Sequence, residues 1–311
     1  MPRGHAVIQD LPLSRPVLDR HADLRTDPGL LPRLLGDPAT AVLRLVGDRV
    51  RVRDVQGPGL TVWVGPPTAA DRSRLAFYLG EAGGTAYVGV VADDLVAEGD
   101  GDARLRTLRQ VGAELDDVGA AAYVTTLALA NWHRAHGHCP RCGAPTAPDL
   151  GGWIRRCPRD DSEHYPRTDM AVIVAVVDAD DRILLARGRG FRARGMSVLA
   201  GFVEPGETLV GAVTREVAEE VGVEVRDVTY VGDQPWPFPS SLMLGFTARA
   251  EATELRLQEA EIEAARWFSR DELTRALADG SVVVSGRISI SRRLIEHWYG
   301  RPLDTVDVAL R

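Results

Sequence analysis

Glu216, Glu219 and Glu220 stand at i, i+3 and i+4, a spacing that on an α-helix gathers three carboxylates into one stripe. Like charges so placed repel one another, and the arrangement becomes favourable when a hard, oxygen-preferring divalent cation neutralises them. Mg²⁺ or Mn²⁺ is the natural occupant. Because Mg²⁺ keeps several waters and shares its shell with substrate phosphates, the stripe expects a phosphorylated ligand and hydrolytic chemistry. Taken without context, three such residues equally describe a solvated helix face, so the surrounding segment decides.

The helix that must carry them has its own punctuation. Pro205-Gly206 supplies a turn, Thr208 is a candidate N-cap, and Gly222 stands where a left-handed residue ends a helix. Val210, Val213, Val217 and Val221 fall on an adjacent apolar stripe, so one face is expected to bury and the other to bind. From Gly201 to Val223 the chain reads Gly, five residues, Glu207, seven residues, Arg215-Glu216, an aliphatic, any residue, Glu219-Glu220, any residue, Gly222, an aliphatic. This resembles the signature of the Nudix hydrolases with no position missing. The resemblance implies an α/β/α sandwich with a mixed sheet and hydrolysis of a nucleoside diphosphate linked to another group. It further implies Glu216, Glu219 and Glu220 as metal-holding, catalytic carboxylates and Arg215 as a brace paired with Glu207. The carbonyl of Ala200 and the carboxylate of Glu261 would complete the metal shell.

Downstream, Gln234-Pro235-Trp236-Pro237-Phe238-Pro239-Ser240-Ser241 sets two rings between three prolines. Prolines stiffen a loop and rings offer stacking faces, so the segment could grip a flat base, with the hydroxyls and the Gln234 amide free for hydrogen bonds. The array is similar to the specificity motif of the NADH pyrophosphatase subfamily, which cleaves NAD(H) to AMP and nicotinamide mononucleotide; Asp233 departs from the Ser usual there. Tyr165 and Ser291 match further substrate-contacting positions of that subfamily.

Cys139-Pro-Arg-Cys142-Gly followed by Cys157 has the spacing of a zinc ribbon. The subfamily places a four-cysteine ribbon here, but this chain has 3 cysteines. Zn²⁺ held by Cys139, Cys142, Cys157 and His164 is the leading expectation, with Asp160 at the position a second Cys-x-x-Cys would use. A ribbon held by packing alone, with free thiols in a reducing cytosol, is the alternative.

The expected organisation is a degenerate α/β domain over 1–130, a ribbon-like segment over 131–167, the catalytic domain over 168–300 and a tail over 301–311. Strands are expected around a hairpin turn at Gly47-Asp48, with a helix over Asp117–Ala135. All 37 basic residues are Arg, and the net charge of -7 argues against nonspecific nucleic-acid binding. No early apolar run has the length of a signal or membrane segment, which makes the cytoplasm the default. A homodimer is implied by the resemblance alone. Rival readings keep the Nudix chemistry on ADP-ribose, dinucleoside polyphosphates or the NAD cap of an RNA, for which Arg187, Arg189, Arg192 and Arg194 could offer a basic path. The non-enzymatic rival is a zinc-ribbon adaptor.

Overall fold

A computed structural model describes residues 7–57, 59–93, 104–304 and 310. The chain divides into two compact units, an amino-terminal unit of Leu13–Thr168 with Pro235–Ser240, and a sandwich unit of Met1–Pro12, Asp169–Gln234 and Ser241–Arg311. Residues 7–12 therefore go with the sandwich rather than with the domain expected over 1–130, and Ile8 N donates to Val231 O at 2.7 Å.

In the amino-terminal unit, α1 (Leu30–Leu34) precedes β1 (Ala41–Leu45), β2 (Arg49–Asp54), β3 (Leu60–Val62), β4 (Ala76–Ala82), β5 (Thr85–Val91), β6 (Arg104–Thr107), α2 (Leu108–Val111) and α3 (Asp117–Ala135). The expected turn at Gly47-Asp48 forms, with Val46 and Arg49 exchanging backbone hydrogen bonds of 2.9 and 3.0 Å across it, but the strands on either side join different sheets. β1 pairs in parallel with β5 in the order β1-β5-β4, while β2 lies between β3 and β6. The reason is burial: Val42, Leu43 and Leu45 of β1 are all covered, as parallel pairing demands, whereas β2 alternates. Asp116 caps α3 by accepting from Gly119 N at 2.6 Å. A β-carbon at Gly89 of β5 would stand 2.4 Å from Thr126 Oγ1, so only glycine admits the helix this close. Then β7 (Ala147–Asp149), β8 (Ile154–Arg156) and β9 (Glu163–His164) form a small antiparallel sheet.

The sandwich unit contains β10 (Asp169–Val177), β11 (Ile183–Gly188), β12 (Gly195–Met196), β13 (Leu199–Phe202), α4 (Leu209–Val221), β14 (Val225–Trp236), β15 (Ser241–Ala250), β16 (Ile262–Phe268), α5 (Arg270–Ala278), β17 (Val283–Val284) and α6 (Ile290–Tyr299). The main sheet runs β14-β15-β10-β11-β16 with β13 on β10; β10 is parallel to β15 and antiparallel to β11 and β13. Period-two alternation in β10 builds both layers. Val172, Val174 and Val176 pack with Val213, Val217 and Val221 of α4, while Ile173, Ala175 and Val177 pack with Leu273 of α5 and Leu294 of α6. Burying each Val or Ile so completely contributes about 1.5–3 kcal/mol. The expected α/β/α sandwich with a mixed sheet is the observed one. Val210, expected on the buried stripe, is exposed, because Leu209 and Ala212 of the same turn face the core instead. Leu303 and Leu310 of the expected tail are buried, so the chain packs there rather than trailing; 305–309 lie outside the described residues. Among the described residues no helix is long and apolar enough to cross a membrane.

Candidate active site

The carboxylate helix is fixed at both ends. Thr208 Oγ1 accepts from Gly211 N at 3.1 Å, and Gly222 closes α4 with φ 71°. The loop ahead of it is tied by Glu207, whose Oε1 accepts from Glu204 N at 2.7 Å and from Arg215 Nη2 at 2.6 Å. Arg215 reaches further, donating to Phe202 O at 2.9 Å and, through Nη1, to Glu216 and Glu219 at 3.0 Å each. The Arg215–Glu207 pairing expected from the sequence is therefore present, and one guanidinium also orients two carboxylates of the stripe.

Glu220 is the least solvated of the three, at 8% exposure, and its Oε2 is buried with no hydrogen-bond partner. Burial, followed by the charges of Glu216 and Glu261, pushes its carboxyl up to about 8. Burial also raises Glu216, although Arg215 opposes it, and Glu219 and Glu261 add repulsion. Glu261, on the exposed turn before β16, thus shares the field of Glu216 and Glu220. Ala200 sits on β13 opposite Ile173, next to Gly201. Carboxylates crowded at this cost, one with an orphaned buried oxygen, are a donor set that fits a hard divalent cation.

The Trp-Phe loop is held in the amino-terminal unit. Asn131 Nδ2 donates to Pro237 O at 3.0 Å and to Pro239 O at 3.2 Å. Arg109 lies 3.9 Å from the Phe238 ring centroid and 5.1 Å from that of Trp236, and the two rings meet edge to face at 4.9 Å. Pro235, Trp236, Phe238 and Ser240 are half-buried, Pro237 is buried, and Pro239 is exposed. Ser241 opens β15 opposite Asp169. Two expectations need correction. Gln234 does not offer its amide outward: it is fully buried and donates to Ile288 O at 2.9 Å. Ser291 is buried too, its hydroxyl 2.7 Å from that of Ser197, because the second residue of α6 faces the core. Tyr165 is 66% exposed, with its hydroxyl donating to Glu163. Arg109 and Asn131 escaped the sequence reading because nothing local marks them; Asn131 meets a loop more than 100 residues away in the chain. Of the basic stretch, Arg187 lies 3.0 Å from Glu263, Arg189 donates to Glu259 O at 2.7 Å and Arg194 to Gly280 O at 3.2 Å, so three of those arginines have protein partners.

In the ribbon, ligand atoms of Cys139, Cys142, Cys157 and Asp160 all lie within 4.8 Å of one another. The cluster includes Asp160, at the position a second Cys-x-x-Cys would use, and does not include His164, the leading expectation. Cys139-Pro-Arg-Cys142-Gly143 and Cys157-Pro-Arg-Asp160-Asp161 repeat one pattern, and both Gly143 and Asp161 take positive φ, at 71° and 56°. Asp tolerates that conformation, so the second knuckle keeps its shape with a carboxylate where the first has a thiol. That internal repeat was the sequence signal for Asp160. His164 stands one bond further out: Ser162 Oγ donates to Asp160 Oδ1 at 2.6 Å and lies 3.1 Å from His164 Nε2. Hydrogen bonds led by Ser162 hold the Asp160 carboxyl well below the usual carboxylate range, ready as an ionised ligand. Three soft thiols and one oxygen in so small a volume suit Zn²⁺.

Comparison with known proteins agrees with this geometry. Residues 167–284 match the family described as NUDIX domain, and residues 134–165 match the NADH pyrophosphatase zinc ribbon domain. A Mycobacterium bovis protein named NAD-capped RNA hydrolase NudC is 40% identical over 302 residues, covering 92% of this chain and 94% of its own. The human NAD-capped RNA hydrolase NUDT12 is 42% identical over 179 residues, 54% of this chain and 39% of its own. A crystal structure of a NUDIX hydrolase from Nitrosomonas europaea aligns at 22% identity with a TM-score of 0.41, over 53% of this chain and 94% of that one.

Proposed function

The chain belongs to the Nudix hydrolases that carry the NADH pyrophosphatase zinc ribbon, and from that premise we propose that it hydrolyses the diphosphate of an NAD group, both in free NAD(H) and at the 5′ end of an RNA. Free NAD(H) would yield AMP and nicotinamide mononucleotide; a capped RNA would yield nicotinamide mononucleotide and a 5′-monophosphate end. The RNA-borne substrate is favoured by a relative of that name spanning 92% of the chain.

The observation that carries the hydrolytic reading is the orphaned Oε2 of Glu220 among Glu216 and Glu261. Bound there, Mg²⁺ or Mn²⁺ would act as a Lewis acid that lowers the pKa of water and neutralises charge on the diphosphate. Glu216, Glu219, Glu220 and Glu261, with the Ala200 carbonyl, are the proposed holders. Arg215 positions rather than reacts: three of its bonds run to Glu207, Glu216 and Glu219, which sets the carboxylates before substrate arrives. Glu219, the most exposed of the stripe, and Glu220 are the candidates to take a proton from the attacking water. Trp236 and Phe238 are the proposed grip for a flat base, and Tyr165 a further contact. A homodimer is part of the same proposal, and light scattering of the purified chain tests it.

The decisive experiment is product analysis after incubation with NADH, NAD, ADP-ribose, diadenosine polyphosphates and an NAD-capped RNA, each with and without Mg²⁺ or Mn²⁺. Cation-dependent release of nicotinamide mononucleotide from NAD(H) and from the capped RNA is expected. Turnover of ADP-ribose or diadenosine polyphosphates with the NAD group left intact would overturn the substrate assignment.

A further inference from the structure

A cleft of about 620 Å³ opens within the amino-terminal unit, and its walls carry Arg25, Arg72 and Arg74 beside Leu31, Pro32 and Leu35. That volume falls in the range of small-molecule sites, roughly 300–1,000 Å³. Two carboxylates also line it, but both are committed to arginines outside the cleft: Asp27 accepts from Arg33 at 2.8 Å and Asp149 from Arg156 at 2.8 Å. Asp93, 3.9 Å from Arg74, is almost fully solvated. Among the described residues lining the cleft, three arginines therefore face two carboxylates that are already committed elsewhere.

Arg25 is held in an unusual state for a surface cation. Its guanidinium lies 3.7 Å from the centroid of Trp153, whose indole N–H is anchored on Tyr78 O at 2.7 Å. Arg20 lies 5.2 Å from the same ring, so two guanidiniums crowd one indole. Arg25 Nε is buried with no hydrogen-bond partner. A desolvated, like-charge-crowded guanidinium with an unmatched donor is complementary to an anion, and planar forks match phosphate oxygens best. The apolar wall of Leu31, Pro32 and Leu35 suits a flat uncharged group of similar reach.

We propose that this cleft is a nucleotide site, in which Arg25, Arg72 and Arg74 take the phosphate of a nucleoside 5′-monophosphate and the Leu31–Leu35 wall takes its base. The ligand chemistry is the same whether the nucleotide is free or part of an RNA strand. The site uses no residue of the carboxylate stripe, so it stands or falls separately from the hydrolytic reading.

The test is calorimetric titration of the full chain, with no magnesium or manganese added, using AMP, adenosine, inorganic phosphate and a 5′-phosphorylated oligoadenylate. AMP is expected to bind, with affinity at least tenfold lower in Arg72→Gln/Arg74→Gln and unchanged in Glu216→Gln/Glu220→Gln. Because Arg25 packs on Trp153 and its replacement risks the local fold, the Arg72 and Arg74 variants carry the test. Oligoadenylate binding tenfold tighter than AMP, with the same arginine dependence, supports the site through a strand source; equal affinity supports it through a free nucleotide. The proposal is overturned if AMP does not bind at millimolar concentration, if adenosine or inorganic phosphate binds as tightly as AMP, or if the arginine variants bind AMP like the parent.

Discussion

Gly201 and Glu216 are in such close apposition that a β-carbon at Gly201 would stand 1.8 Å from the Glu216 carboxyl carbon. No side chain fits without expelling the carboxylate, so the first glycine of the motif is required by space. Gly201→Ala is therefore expected to lower kcat by about 10²-fold or more, the order that a 1 Å misplacement costs, with the thermal transition little changed. A Gly201→Ala enzyme with parental kcat at saturating Mg²⁺ would show that Glu216 does not need this position.

Glu220 makes a prediction in pH. Its ordinary value of 4.5 is raised to about 8 in the fold, chiefly by burial. Between those values the folded, cation-free chain holds a proton that the unfolded chain has released. The stability from this group is thus complete below about pH 4.5 and is lost as pH rises through about 8. Melting temperatures of parent and Glu220→Gln, measured without divalent cation from pH 5 to 8.5, should converge at the acid end and separate at the alkaline end in favour of the variant. Adding Mg²⁺ at pH 8 should raise the parent only. Parallel curves for the two proteins would remove Glu220 from this role. Turnover of Glu220→Gln should fall by on the order of 10³-fold.

The ribbon separates Asp160 from His164 by direct measurement. Zinc content by mass spectrometry should be near stoichiometric in the parent and strongly reduced in Asp160→Ala, because that change removes a ligand. His164→Ala should keep its zinc but release it to a chelator more readily, about 10–100-fold, as expected for a group that orients a ligand through Ser162. The reverse order would restore His164 as the fourth ligand.

What could be read in advance was local. The edges of α4, the Arg215–Glu207 pair and the helix at Asp117–Ala135 depend on spacings of a few residues, and periodicity and capping chemistry carry that information. The errors arose where a distant partner decides. Gln234 is committed to Ile288 O and Ser291 to Ser197, contacts that no local pattern encodes. The Gly47-Asp48 turn closes between Val46 and Arg49, but its strands part beyond it for the same reason, since β5, more than 40 residues on, takes β1 as its parallel neighbour. The ribbon shows the opposite case: the repeat Cys-Pro-Arg-Cys against Cys-Pro-Arg-Asp is local and points to Asp160.

The Trp236–Phe238 loop owes its shape to Asn131 and Arg109. Asn131 satisfies two loop carbonyls, a service water cannot perform in one fixed geometry, and Arg109 caps the Phe238 face with a cation. Asn131→Ala removes both bonds and should cost roughly 1–3 kcal/mol of loop order. If the loop grips a base of the substrate, that loss falls on binding: KM for NADH should rise about tenfold while kcat at saturation stays within a factor of a few. Arg109→Lys separates charge from planarity, because an ammonium keeps the charge but cannot stack as a guanidinium does. A KM for Arg109→Lys close to that of Arg109→Ala would assign the effect to stacking, whereas a parental KM would assign it to charge. Should both Asn131→Ala and Arg109→Ala leave KM and kcat unchanged for NADH and for NAD-capped RNA, the loop would be a structural element of the amino-terminal unit and the base would have to be gripped elsewhere.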